Sequence, residues 1–290
     1  MIKSSLAQMI YRIKSLLPIS ASRFNFAKNK TGWNLLGAKH QNLLPEDYKL
    51  EDIYLVSFPK SGNTWLRFLV ANAIKIKFNL ERQVNFFSIH DIVPDIQLSR
   101  RIQSTGTFGR LDVPRIIKSH SVYNPYYYRV ILLVRDPRDA LISYYHFLKN
   151  YEKIPDEWDL SQFVRSSKFG ASAWAKHTES WFFTKNSSQN IQILLYEHLI
   201  DNPYEQLRRV MDLIGLSLTD CELQEAVKLS SKENMRQSEI IHKSAYLVKT
   251  QKTAFVRQGK VTRGEALLEV DRKYIEEITR TIAGAVGYQY

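Results

Sequence analysis

Several features that mark secreted, membrane-spanning or repetitive proteins are missing from the sequence. Cys221 is the one cysteine among 290 residues, so no disulfide can form within the chain, and this suits a reducing compartment. No run of about 18 apolar residues occurs, so no segment is predicted to span a bilayer. Tyr11, Arg12 and Lys14 interrupt the apolar residues at the N-terminus, which is unlike a signal peptide. We therefore expect a cytoplasmic protein.

The composition is that of a folded protein with a strong basic bias. Hydrophobic residues make up 44% of the chain and aromatic residues 12%, which argues against disorder, and no internal repeat is visible. Lys and Arg number 41 against 29 Asp and Glu, which gives a formal net charge of +12. Such an excess favours anionic partners, whether nucleotide, nucleic acid, acidic lipid, or sulfated and phosphorylated ligands.

Residues 1–50 are predicted to precede a single domain at residues 51–290. Residues 1–18 place apolar side chains on one helical face, and basic side chains flank that face. Such a helix can dock on its own domain, or it can make peripheral contact with a membrane surface or a partner. Both interpretations stay open, and residues 19–50 are predicted to be an irregular lead-in.

Apolar strands alternate with helices through residues 51–290. Each strand is short, rich in β-branched or aromatic residues, and followed by polar residues. Repeated strand–helix units predict an α/β fold with a parallel β-sheet flanked by helices, and ligands bind beyond the carboxyl ends of such strands. The predicted strands are Tyr54–Phe58, Arg115–His120, Arg129–Val134 and Ile191–Tyr196. The predicted helices begin at Trp65 and Ala140, lie within 157–185 and 219–237, and span Pro203–Leu216 and Asp271–Val286.

The first strand leads into a short basic loop, Pro59–Thr64, and then a helix. Free N–H groups and a helix dipole converge at such a junction, which commonly binds a phosphate. The loop departs from the Walker pattern because the first glycine is absent and Lys60 precedes Gly62. It is too short to wrap a triphosphate, but it can hold one phosphate-like group with Lys60 as a point charge. Taken alone, the loop is explained equally well by an ordinary strand-to-helix turn. Its predicted place at the carboxyl edge of the sheet favours phosphate binding.

Lys118 and His120 lie at the end of the second predicted strand. Residues two apart in an extended segment point to the same side of a sheet. A neighbouring cation favours a neutral imidazole, which is the form that a general base needs near pH 7. The other histidines lack metal-ligand spacing, so the sequence predicts no metal site.

Arg135 ends the third predicted strand, directly before a capped helix. Asp136 and Pro137 have the residue types of a helix cap and a first helical position, and Asp139 follows in the first turn. A guanidinium at the end of a buried strand is costly unless it meets an anion, and the Ser143 hydroxyl can join that anion. Two separate anion sites indicate a nucleotide phosphorylated at two places.

Five segments, in order along Tyr54–Tyr290, resemble the cytosolic sulfotransferases that use 3′-phosphoadenosine 5′-phosphosulfate (PAPS). Each segment on its own is a weak signal, but their joint occurrence in family order is far more specific. PKSGNTW is similar to the family's 5′-phosphosulfate loop PKSGTTW, and IIKSH is similar to the strand that ends in KTH. RDPRDALISYYHF is similar to the 3′-phosphate motif RNPKDVAVSYYHF. LLYEHLIDNP is similar to YEDMKENP, and FVRQGKV is similar to FRKGKVGDW.

The resemblance implies a P-loop-like sulfotransferase fold and transfer of a sulfuryl group from PAPS, without a metal, to a hydroxyl or amine. The acceptor would be a small molecule, lipid or carbohydrate, and nucleic acid would not be a partner. The resemblance implies that the 5′-phosphosulfate is held by Lys60, Ser61, Gly62, Asn63 and Thr64, and the 3′-phosphate by Arg135, Ser143, Arg257, Gln258 and Gly259. The adenine would contact Trp65, Tyr196, Ser230 and Met235. His120 would be the base, and Lys60 and Lys118 would lie beside the transferring group.

The chain departs from the family pattern at several positions. Asn63 replaces a threonine, Gln258 replaces a basic residue, the aromatic residue usual near Lys232 is absent, and Thr262–Glu265 replaces GDWK.

Two other functions stay open. A P-loop kinase would need a Mg²⁺-binding hydroxyl after the loop lysine and an aspartate at a strand end. A basic adaptor would dock on acidic lipid and would need neither Lys60 nor His120. The acceptor and the oligomeric state are not predicted.

Overall fold

A computed structural model describes residues 43–99, 101–102, 106–183, 189–242, 261–262 and 264–290. The predicted helix at residues 1–18 lies outside these ranges, as do Arg257, Gln258 and Gly259. The division into a lead-in and one domain therefore stays a prediction.

Four short strands form one parallel sheet with the order β2-β1-β3-β4. β1 is thus central, and Val56 pairs with Ser119 of β2 on one side and with Leu132 of β3 on the other. The predicted α/β fold with a parallel sheet is confirmed, and Arg129–Val134 matches its predicted bounds at both ends. The strands are β1 Ile53–Ser57, β2 Ile116–Ser119, β3 Arg129–Val134 and β4 Asn190–Leu195.

Helices cover both faces of the sheet. Along β1, Leu55 packs into one hydrophobic cluster while Tyr54 and Val56 pack into the other, so the strand is buried on both sides and reads as an uninterrupted apolar run. No helix in the described ranges is both long and apolar enough to cross a bilayer. The helices are α1 Asn63–Lys77, α2 Ile89–Ile92, α3 Pro137–Asn150, α4 Leu160–Arg165, α5 Ala171–Phe183, α6 Tyr196–Asp201, α7 Pro203–Ile214, α8 Asp220–Leu229, α9 Lys232–His242 and α10 Glu269–Val286.

Local start and stop signals set several of these bounds. Asp136 caps α3 by accepting a hydrogen bond from the Arg138 backbone N–H at 2.9 Å, as predicted. Gly215 ends α7 in the left-handed conformation at φ 87°, which glycine adopts without steric cost. The predicted helix within 157–185 is instead two helices. They separate before Gly170, where an added Cβ would lie 2.1 Å from the Val164 carbonyl oxygen.

A buried ion pair joins the residues directly before β1 and β2. These are the strands that lead to the predicted anion loop and to His120. The Arg115 guanidinium donates to both carboxylate oxygens of Asp52 at 2.7 Å, and it also reaches Asp47 Oδ1 at 2.7 Å. Asp52 is fully buried and Arg115 is nearly so. The pair therefore fixes β1 against β2 at the end opposite to the predicted site.

Replacing Asp52 with asparagine should lower the free energy of unfolding by about 3 kcal/mol, because it leaves a buried guanidinium without its bidentate partner. Denaturant unfolding measures the change. The matched control is Asp212→Asn at an exposed position of α7, which should change stability by less than about 0.5 kcal/mol. Equal effects from the two substitutions would contradict the role given to the pair.

Candidate functional site at the carboxyl edge of the sheet

Three of the predicted site residues that the structure describes lie at one edge of the sheet. The loop after β1 carries Lys60, His120 follows β2, and Arg135 follows β3. Because β2 and β3 are the two neighbours of β1, the histidine and the arginine lie on opposite sides of the loop. The sheet order thus brings together three segments that are far apart in sequence.

The loop between β1 and α1 has two residues in the left-handed region, Lys60 at φ 65° and Gly62 at φ 97°. A side chain at Gly62 would place its Cβ 2.4 Å from Tyr196 Cδ2. The loop backbone therefore lies directly on the Tyr196 ring, and only glycine permits both this approach and the positive φ. The ring supports the loop from the side of β4.

Two buried polar groups, one in the loop and one at the start of α1, have no partner in the part of the chain that the structure describes. Ser61 is fully buried, and its hydroxyl has no hydrogen bond to any described residue. Asn63 uses Nδ2 to donate to the Leu55 carbonyl oxygen at 3.1 Å and to Ser57 Oγ at 3.2 Å, which leaves Oδ1 without a partner in the described part of the chain. An unsatisfied buried polar group costs about 1–3 kcal/mol, so both groups are suited to a polar ligand.

His120 is held by β1. Its Nδ1 lies 2.7 Å from the Ser57 carbonyl oxygen and 3.3 Å from Ser57 Oγ. Because a carbonyl oxygen can only accept, Nδ1 carries the proton and Nε2 keeps a lone pair. Burial, reinforced by the Lys118 ammonium, holds the pKa of His120 well below its usual 6.5, so the ring is neutral near pH 7. His120 has the form of a general base.

The two lysines of the site have different surroundings. Lys118 is buried, and its Nζ lies 2.8 Å from Asp95 Oδ2 in an ion pair. Burial lowers the pKa of Lys118, and the Asp95 carboxylate opposes that shift. Lys60 is half-buried, and its Nζ lies 4.6 Å from the centre of the Phe147 ring. Lys118 is thus ion-paired with a carboxylate, and the Lys60 ammonium contacts an aromatic ring.

Arg135 connects the end of β3 to the loop. Its guanidinium lies 4.4 Å from the centre of the Tyr196 ring, and NH1 donates to the Lys60 carbonyl oxygen at 3.3 Å. NH2 is 3.9 Å from Asp139 Oδ2. Ser143 follows on α3 and is half-buried. The guanidinium therefore lies on the β3 side of the loop and is nearly buried.

Three of the four residues predicted to border the adenine lie close together. The Trp65 indole N–H donates to the Ser230 carbonyl oxygen at 3.0 Å, and its ring meets the Tyr196 ring edge-on at 6.2 Å. Ser230 is fully buried and Met235 is 6% exposed. Thr64 is half-buried in the first turn of α1. Trp65, Tyr196 and Ser230 are thus in one group, beside the loop.

Sequence reasoning missed several polar residues that hold the site. Asn72 donates to Ser230 Oγ at 2.9 Å. Asp139, predicted only as a first-turn residue of the helix, accepts from the Thr262 N–H at 2.8 Å and from the Gly264 N–H at 3.1 Å. No local signal identifies these partners, because the two residues of each pair are more than a hundred positions apart in the sequence. Thr262 and Gly264, which depart from the family's closing motif, therefore bind α3 through Asp139.

His177 is a further buried imidazole near the edge. It is 1% exposed, and its ring meets the Phe58 ring edge-on at 5.8 Å. Burial lowers the pKa of His177 to about 3.

No group of three or more His, Cys, Asp or Glu in the described residues is arranged to hold a metal ion.

Residues 50–284 match the sulfotransferase domain family. The chain belongs to this family and is a sulfotransferase, which confirms the predicted resemblance. Human sulfotransferase 1C2 is 25% identical over 228 residues, which are 73% of this chain and 76% of that protein. Cytosolic sulfotransferase 13 of Arabidopsis thaliana is 29% identical over 236 residues, 72% of this chain and 69% of that protein.

Solved structures share the fold. Retinol dehydratase in complex with androsterone and the inactive cofactor PAP superposes with a TM-score of 0.61 at 17% identity, over 83% of each chain. Mouse sulfotransferase SULT7A1 complexed with PAP gives a TM-score of 0.56 at 18% identity, over 82% of this chain and 86% of that one. The predicted sulfotransferase fold is confirmed.

Acid should destabilise the protein partly through His177. Between an unfolded pKa near 6.5 and the folded value of about 3, the unfolded chain binds a proton that the folded ring does not, so stability falls as pH falls. From pH 7 to pH 5, His177→Gln should lose about 2 kcal/mol less stability than the wild type. Denaturant unfolding at both pH values measures this, with the exposed His198→Gln as control. Parallel pH profiles for wild type and His177→Gln would contradict the assignment.

Proposed function

We propose that the protein transfers the sulfuryl group of PAPS to an acceptor hydroxyl or amine, with His120 as general base. One observation carries the proposal. A neutral imidazole with its Nε2 lone pair available lies on the β2 side of the loop, and a buried guanidinium lies on the β3 side. An acceptor and a nucleotide can therefore approach the loop from opposite sides.

The loop after β1 would hold the 5′-phosphosulfate. The donor set fits a tetrahedral anion, because it combines the Lys60 charge, the backbone N–H groups that open α1, and the buried Ser61 hydroxyl, which has no partner among the residues described. Gly62 keeps the backbone accessible where a side chain would meet Tyr196. The 5′-phosphosulfate contacts are assigned to Lys60, Ser61, Gly62, Asn63 and Thr64.

The remaining nucleotide contacts would lie on the β3 and β4 side. Arg135 and Ser143 are assigned to the 3′-phosphate, together with Arg257, Gln258 and Gly259, which stay a prediction from sequence. The adenine would lie among Trp65, Tyr196, Ser230 and Met235. Because Asn72 already donates to Ser230 Oγ, the Ser230 O–H is left to donate elsewhere. The PAP bound in the SULT7A1 and retinol dehydratase structures supports this choice of nucleotide.

The reaction requires one proton transfer and stabilisation of one leaving oxygen. The acceptor oxygen bonds to sulfur as its proton passes to His120 Nε2, and the bond from sulfur to the bridging oxygen breaks with its electron pair on the phosphate. Lys60 would stabilise the charge that develops on that oxygen. Lys118 is assigned a positioning role beside His120, because its ammonium is paired with Asp95.

The names of relatives support two coarser features of the proposal. Androsterone and retinol, named in complexes of retinol dehydratase, each carry a hydroxyl, which supports a hydroxyl-bearing acceptor. A cytoplasmic location is supported by the name of the Arabidopsis cytosolic sulfotransferase. Peripheral membrane contact through residues 1–18 stays a prediction, since those residues lie outside the described ranges.

His120→Ala should abolish transfer while leaving nucleotide binding intact. The expected loss in kcat is at least about a hundredfold, because a positioned general base contributes roughly 10²–10⁴. Labelled PAPS with an acceptor measures turnover, and calorimetric titration with PAP measures binding, which should change less than threefold. His198→Ala, at an exposed histidine, is the matched control. Turnover that persists in His120→Ala would show that another group is the base.

Arg135→Met should weaken PAP binding by roughly 30-fold or more, because a charge-assisted contact to the 3′-phosphate contributes about 2–3 kcal/mol. Affinity for adenosine 5′-monophosphate, which lacks that phosphate, should change little. Titration of both nucleotides against both proteins measures the difference. Arg129→Met, at the other end of β3, is the control. If Arg135→Met weakens both nucleotides equally, Arg135 does not bind the 3′-phosphate.

A further inference from the structure

A short extended segment lies beside β2, on the side of the sheet away from the proposed nucleotide site. The Lys118 N–H donates to the Pro94 carbonyl oxygen at 2.8 Å, and the Ile96 N–H donates to the Lys118 carbonyl oxygen at 3.1 Å. Asp95 thus pairs with Lys118 as a parallel bridge. Gln97 comes two residues after Asp95 and lies alongside the end of β2, the strand that His120 follows.

The order of segments across the edge determines which side is left for the acceptor. It runs from the Asp95 segment through β2, β1 and β3 to β4. Arg135 and Tyr196 place the proposed nucleotide contacts on the β3 and β4 side. His120 lies on the β2 side, so the acceptor must approach from the side of Gln97.

The surroundings on that side form a continuous polar network. Gln97 Oε1 lies 3.4 Å from Lys118 Nζ, and Gln97 Nε2 lies 3.4 Å from Ser119 Oγ and 3.5 Å from Ser121 Oγ. The two serine hydroxyls are 2.8 Å apart. The Asp95 carboxylate completes the network through its ion pair with Lys118. Five side chains with hydrogen-bonding groups therefore form one network at the end of β2, the strand that leads to His120.

Access to this network is through one residue. Asp95, Lys118, Ser119 and Ser121 are all buried, whereas Gln97 is partly exposed. The hydrogen bonds of Gln97 are long, at 3.4–3.5 Å, so its amide can exchange them for a ligand at small cost. The amide offers both donors and an acceptor.

We propose that the acceptor is a hydroxyl-rich molecule, a saccharide or polyol, and that Gln97 contacts a hydroxyl next to the one that reacts. The inference rests on the proposed function. Vicinal hydroxyls both donate and accept, as the Gln97 amide does, so one hydroxyl can face His120 Nε2 while its neighbour bonds to the amide.

A flat apolar alcohol fits this side less well. It brings a single hydroxyl, which His120 would use, and the rest of its surface would cover the Gln97 amide while offering that amide no hydrogen bond. The covered amide would keep only its long bonds of 3.4–3.5 Å within the protein. Covering an incompletely hydrogen-bonded polar group costs about 1–3 kcal/mol, which corresponds to roughly 5- to 150-fold in kcat/KM. The network therefore discriminates against apolar acceptors such as a sterol or a naphthol.

The first experiment compares two acceptor classes with the full-length protein and labelled PAPS. Methyl glycosides, short oligosaccharides and polyols form one class, and 2-naphthol and androsterone form the other. We expect the best hydroxyl-rich acceptor to have a kcat/KM at least tenfold above either apolar alcohol. A higher kcat/KM for an apolar alcohol overturns the inference, as does PAP binding without turnover of any saccharide or polyol. Neither result overturns the proposed donor.

The second experiment tests Gln97 itself. Gln97→Leu should lower kcat/KM for the best saccharide by roughly three- to tenfold, mainly through a higher KM, and raise the relative rate with 2-naphthol. Gln97→Asn, which keeps the amide, should recover part of the loss. Gln192→Leu, on exposed β4 surface, is the matched control and should behave as wild type. An unchanged saccharide KM in Gln97→Leu overturns the role of Gln97.

Calorimetric titration with PAP separates the two proposals. The affinity of all three variants for PAP should stay within threefold of wild type, which also shows that they fold. If wild-type protein neither binds PAP nor forms labelled product with any acceptor, the proposed function fails and the inference fails with it. If PAP binds and apolar alcohols are preferred, the inference alone fails.

Discussion

The hydrogen bond from His120 Nδ1 to the Ser57 carbonyl oxygen is the interaction on which the proposed chemistry depends. It crosses from β2 to the central strand, sets which ring nitrogen keeps a lone pair, and ties the imidazole to the strand that carries the anion loop. Asn63 extends the link, because its amide donates to Ser57 Oγ, which is itself 3.3 Å from Nδ1. The residue that replaces the family's threonine thus connects the loop to the base.

Three buried cations in the described part of the sheet and its flanking segments are compensated by carboxylates. Arg115 is paired with Asp52, Lys118 with Asp95 and Arg138 with Asp136, so these groups hold segments in place. By contrast, the loop after β1 contains a buried serine hydroxyl that has no partner among the described residues. The paired charges thus belong to the scaffold, whereas this hydroxyl belongs to the surface proposed to contact a ligand.

Much of the fold could be predicted because its signals are local. The apolar run Arg129–Val134, the cap at Asp136 and the glycine at 215 each depend on a few neighbouring residues. The break before Gly170 was missed because it follows from the close approach of the Val164 carbonyl oxygen, which no periodicity records. The partners of Asp139 and Ser230 were missed for a related reason, since they come from distant segments whose meeting depends on how the helices pack.

By itself the sequence determined the family, the kind of sheet and the residue types at each strand end, because strand periodicity, capping and short motifs are properties of contiguous residues. Only the tertiary structure decided which of those residues act together. The strand order β2-β1-β3-β4 placed His120 and Arg135 on opposite sides of one loop, and the packing of other segments against the sheet brought Asp95 to Lys118 and Phe147 to Lys60. Parallel strands are joined by long crossovers, so their order is set by the packing of distant helices, which neighbouring residues do not encode.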